Sequence, residues 1–131
     1  MLQLKYILSA IILVLLDSVY LNSVKNYFNN QIKKVQQTDI EIKLSGVVLC
    51  YVFLIFGLNY FIIQYNKSPL DAFLLGLTIY AVYELTNYAL LKNWSVKTVI
   101  LDTLWGGILF ALTTTIVYKM KSLGFIQKLK M

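Results

Sequence analysis

Four stretches of the chain, at about residues 4–21, 44–64, 70–91 and 96–118, are each long and apolar enough to cross a bilayer. Crossing takes about 20 residues of helix. No other feature restricts the fold as much. No lysine lies deeper than the second residue of any stretch; Lys5, Lys25, Lys43, Lys67, Lys92, Lys97 and Lys119 stand at the edges instead. An ammonium is costly in hydrocarbon, whereas a lysine at the rim reaches back to the headgroups. A soluble bundle needs a polar stripe on each helix, and these segments are apolar nearly all round. The expected fold is all-α: an integral membrane four-helix antiparallel bundle, a single domain over residues 1–131.

The connections differ. Ser68 precedes Pro69 with Asp71 three residues on, which predicts an N-cap, a proline at the first helical position and a capping box for helix three. Ser95 is the expected N-cap of helix four. Short links make helices two, three and four sequential antiparallel neighbours. Between helices one and two, Val24, Phe28, Ile32 and Val35 recur at helical spacing among Lys25, Lys33 and Lys34. That pattern predicts an interfacial amphipathic segment, and residues 119–131 predict a basic amphipathic tail, with Leu123, Phe125, Ile126 and Leu129 among its lysines. The first stretch also resembles the apolar part of a signal peptide. Asp17-Ser18-Val19-Tyr20 follows it in place of a small-residue cleavage pattern, so it reads as a retained helix.

Composition removes several chemistries. There is no histidine, all 12 basic residues are lysine, and Cys50 is alone. Within the chain this excludes a Ser-His or Cys-His pair, a histidine-held metal or haem, a bidentate arginine clamp and an intrachain disulfide. Cys50 is expected to be a small buried apolar residue. No cofactor is expected. The net charge of +6 is spread over two membrane faces with no nucleic-acid motif. The expected partners are therefore the bilayer, its anionic headgroups at the lysine-rich rims and tail, and a second copy or a larger membrane assembly, with no nucleic acid. Each face carries six lysines, so the charge rule is tied. The dense tail and free amino terminus favour both ends on the cytoplasmic side.

Three of the six acids lie inside the spans. Asp17 is near the end of helix one, Glu84 near the end of helix three and Asp102 near the start of helix four, at roughly 6, 10 and 9 Å from those ends at 1.5 Å per residue. Antiparallel packing puts all three in one leaflet. Each has polar company at helical spacing: Tyr20 after Asp17; Tyr80, Asn87 and Tyr88 around Glu84; Thr98, Trp105 and Gly106 around Asp102. The candidate polar site is Asp17, Glu84, Asp102, Asn87, Tyr80, Trp105 and Tyr20, and Asn59 is expected to lie toward the other side. No basic residue within the spans neutralises the acids. The alternatives are a bound cation, a shared proton, water access, or a lysine reaching in from position 92 or 97.

At these residues the chain resembles a known family. Leu16-Asp17-Ser18-Val19-Tyr20-Leu21 is similar to the Leu-Asp-x-x-Trp-Leu ending of helix one in domain of unknown function 2177, a family of small membrane proteins. The segment from Tyr80 to Ala89 resembles that family's Tyr-Asp-x-Thr-Asn-x-Ala motif in helix three, Trp94 its tryptophan after that helix, and Asp102-Thr103-Leu104-Trp105-Gly106 its Asp-x-x-Trp-Gly motif. Tyr20 stands in place of tryptophan and Glu84 in place of aspartate. The resemblance implies fold and site but brings no activity. Three functions remain open: proton, cation or polar-substrate handling at the acids; a structural or accessory subunit with the acids as interhelical hydrogen-bonding glue; and a lipid-modifying enzyme. The last lacks any local Asp-Asp-x-x-Asp signature.

Overall fold

The computed structural model describes residues 3–124, all helix and connection. Helix α1 spans Leu4–Gln36, α2 Leu44–Leu58, α3 Pro69–Leu90 and α4 Val96–Ser122. A π-helical turn, Asn59–Ile63, continues α2. Three helical segments, Leu4–Gln36, Leu44–Ile63 and Val96–Ser122, are long and apolar enough to cross a membrane. The fourth expected span, α3, is 22 residues long. It is less apolar because Glu84, Asn87, Tyr80, Tyr83 and Tyr88 interrupt it.

The sequence divided the N-terminal region at residue 21, but α1 runs unbroken for 33 residues. Neither glycine nor proline occurs between Asn22 and Gln36 to stop it. At about 50 Å it exceeds a hydrocarbon core of about 30 Å. The amphipathic pattern is therefore the outer part of α1. Val24, Phe28, Ile32 and Val35 are half-buried, while Lys25, Lys33 and Lys34 are exposed. The helix ends where Gln37 turns left-handed (φ 67°) and its N–H bonds back to the Lys33 carbonyl. Of the expected basic tail, residues 125–131 lie outside the described residues.

Both predicted N-caps form. Ser68 Oγ accepts from Asp71 N at 3.1 Å, and Ser95 Oγ from Thr98 N at 3.1 Å. The most extensive helix pair is α3 with α4, followed by α1 with α4. Small residues permit this, because helices in lipid gain most from close backbone packing. Gly76 lies against the Gly106 carbonyl, and Gly106 and Gly107 lie under the rings of Tyr80 and Phe73. Leu13, Leu54, Leu58, Ile63, Leu109 and Phe110 form the centre of the core. α2 is the least engaged helix, and its opening residues 44–50 are all exposed. Cys50 belongs to that exposed turn, which corrects the expectation that it is buried; α2 first meets the bundle one residue later, at Tyr51.

Candidate functional site

The three acids expected within the spans, Asp17, Glu84 and Asp102, are all buried. Asp102 occupies the middle, because α4 faces both α1 and α3. Across the α1–α4 seam, the Tyr20 hydroxyl donates to Asp102 Oδ1 at 3.3 Å. One turn further along α4, Trp105 Nε1 donates to Asp17 Oδ1 at 2.8 Å. The Tyr20 ring stacks on the Trp105 indole with centroids 4.5 Å apart and planes 6° from parallel. The stack fixes both donors, so each acid is aimed at by a ring from the opposite helix. The other oxygen of Asp17 accepts from the Tyr51 hydroxyl of α2 at 2.6 Å.

Glu84 lies on the α3 side of Asp102. Its Oε1 accepts from Trp94 Nε1 at 2.8 Å. Trp94 reaches it because the α3–α4 link turns sharply at Asn93, a left-handed residue (φ 63°) of the type that tolerates that conformation. Glu84 Oε2 is fully buried and receives no N–H or O–H donor. The Asp102 carboxyl lies within hydrogen-bonding reach of Glu84. A proton on either of the two acids would satisfy Oε2. The polar groups form one string at one level: Tyr51, Asp17, Trp105 with Tyr20, Asp102, Glu84 and Trp94. All four helices contribute to it.

The other expected members are placed differently. Tyr80 contributes a ring over Gly106 and no hydrogen bond to an acid. Asn87 is half-buried, and its amide lies within reach of Tyr83. Asn59 bonds Ser9 and the Tyr6 carbonyl near the other end of α1, away from the acids. Among the described residues, no three carboxyl or thiol groups converge as a metal site.

Sequence reasoning left Tyr51 out. Its depth carries the signal: it lies seven residues into α2 from the same face, roughly 10 Å down, level with the acids. Trp94 stood out only as a tryptophan after helix three, because nothing in the local pattern shows that the loop folds back onto α3. Gln31 also gave no signal. It is buried in the outer part of α1, bonding the Asn93 carbonyl (2.8 Å), Ser95 N (3.1 Å) and Thr98 Oγ1 (2.7 Å). Together with Tyr27, whose hydroxyl meets Thr98 Oγ1 at 2.9 Å, it closes the rim one turn above Asp102.

Three helices able to cross a membrane, joined with α3 through a buried string of carboxyl and aromatic donor groups, define a small helical membrane protein. The chain belongs to the DUF2177 family of predicted membrane proteins, whose family model matches residues 2–119. No curated protein and no solved structure matches it.

Proposed function

We propose that the Glu84–Asp102 pair is a proton-handling site and that the protein acts as a small proton-coupled membrane protein. The observation that carries this reading is Glu84 Oε2, fully buried and without a donor beside the Asp102 carboxyl. Two ionised carboxylates side by side repel, and an unsatisfied buried oxygen costs about 1–3 kcal/mol. One proton shared by the pair removes both penalties. Asp17 has a different environment: both its oxygens are held by neutral donors. In this reading it is a structural clasp. α3 forms the fourth crossing, supported by its extensive packing on α4.

The full chain reconstituted in liposomes is expected to dissipate an imposed pH gradient, read with an internal pH dye. Glu84→Gln and Asp102→Asn are each expected to reduce that flux at least tenfold while the melting temperature in detergent stays within a few degrees. Full flux in both variants would end the proposal. Asp17's full satisfaction favours a second reading, in which the whole string is glue for an accessory subunit. That reading predicts no flux in the native chain and a large loss of melting temperature in the same two variants.

For orientation, we place both termini on the cytoplasmic side, supported by the lysines that follow α4. A reporter that works only in the cytoplasm, fused after Met131, is expected to be active; activity of a periplasm-specific reporter there would reverse the assignment.

A further inference from the structure

The outer end of α1 and the α3–α4 link flank a shallow open surface cleft of about 520 Å³ lined by Asn30, Lys33, Lys34, Gln37 and Asn93. A recess of about 170 Å³ adjoins it, sharing Asn30 and Lys34 and adding Tyr27, Gln31 and Ser95. The walls are tied to each other. Gln31 donates to the Asn93 carbonyl at 2.8 Å, and the Asn93 amide donates to the Lys34 carbonyl at 3.2 Å. The cleft is thus a fixed feature of how α1 docks on the link.

Its chemistry is that of an anion site. Two lysines and three side-chain amides line it, and no carboxylate does. Asp39 sits at its edge, 3.8 Å from the Lys33 ammonium. A third ammonium, Lys97, lies over the Tyr27 ring on the recess wall, 5.6 Å from its centroid. The positive end of the α4 dipole opens on the same recess through its N-cap, Ser95.

Exposed apolar residues near the cleft favour a lipid over a soluble anion. Leu90 and Leu91, beside Asn93, are 77% and 39% exposed. Ile40, whose N–H bonds Asn29 Oδ1 at 3.1 Å, is 40% exposed. A cationic cleft on the outer part of α1, with exposed apolar residues close to its lining residues in the chain, suits an amphiphile with a charged head.

We propose that this cleft holds the phosphate of an anionic phospholipid, with Lys33 and Lys34 on the headgroup and the acyl chains along Leu90, Leu91 and Ile40. The proposal rests on membrane placement and is independent of the proton-handling reading.

The test uses the full chain in bilayers mixing phosphatidylglycerol with phosphatidylcholine. Lipid retained on the protein is counted by native mass spectrometry after transfer to detergent. The native chain is expected to retain phosphatidylglycerol in preference to phosphatidylcholine. A lysine near an anionic surface contributes about fivefold in affinity. The double variant Lys33→Gln/Lys34→Gln is therefore expected to weaken retention roughly 25-fold without a change in melting temperature. Lys119→Gln/Lys121→Gln, which removes the same charge at the other end of α4, is expected to stay within twofold of the native chain. Equal losses in the two double variants would show general charge attraction and overturn the proposal. Displacement of the retained lipid by millimolar inorganic phosphate would identify a soluble-anion site and overturn it as well.

Discussion

Gly76→Ala is expected to lower the stability of the folded chain by about 3 kcal/mol or more, at the upper end of the range for overpacking. A Cβ at position 76 would run into the Gly106 carbonyl oxygen and stand 2.8 Å from the Phe110 ring and 2.9 Å from the Gly106 carbonyl carbon. Two of those atoms are backbone and cannot swing aside. Helices α3 and α4 must separate along their closest seam, and Glu84 then moves away from Asp102. Gly46→Ala and Gly57→Ala are the controls, because a Cβ there meets nothing within 4 Å; both are expected to be neutral or slightly stabilising. The measurement is the unfolding midpoint in mixed detergent–SDS micelles. A Gly76→Ala variant as stable as the native chain would mean that α3 and α4 do not meet as described.

Asp17→Leu is expected to cost about 2 kcal/mol, whereas Asp17→Asn costs a fraction of that. Leucine removes the acceptor from the Trp105 indole N–H and from the Tyr51 hydroxyl, and each donor left unpaired away from water costs about 1–3 kcal/mol. Interhelical hydrogen bonds measured in membranes average nearer 0.6 kcal/mol, which holds the combined figure to the low end. Asparagine keeps a carbonyl for Trp105 and offers an amide that the Tyr51 oxygen can accept. Unfolding midpoints of the two variants, read with tryptophan emission, check the order. Equal stability of the leucine and asparagine variants would remove Asp17 as a clasp joining α1, α2 and α4.

The sequence made much of this legible where local chemistry decides the outcome. Ser68-Pro69 and Ser95 mark helix starts through their own hydrogen bonds, so those boundaries fell within a residue or two of the observed ones. The shared level of Asp17, Glu84 and Asp102 followed from helix rise and antiparallel order alone. The donors were less legible. Which ring reaches which carboxyl depends on helix rotation, and a lipid-facing helix that is apolar all round leaves no stripe from which to read that rotation. Asn87 shows the consequence: spacing placed it beside Glu84, yet its amide is near Tyr83. The end of α1 was misplaced for a related reason. The apolar run stops near Leu21, but the helix has no cause to stop there, and Gln31 then finds the α3–α4 link more than 60 positions away.

The string of polar groups also bears on how the protein is made. Asp17 finds the Trp105 indole across 88 positions, and Asp102 finds Tyr20 across 82. During synthesis the first helix enters the membrane long before the fourth exists. Over that interval it carries an acid of the kind whose insertion at a helix centre is disfavoured by about 2.5–3.5 kcal/mol. Both partners of Asp17 are present only once α2 and α4 have been made. A chain truncated before α4 keeps Tyr51 but lacks the indole, and so holds a half-paired acid in lipid. The pairing of Asp17 is therefore finished only when α4 joins α1 and closes the set.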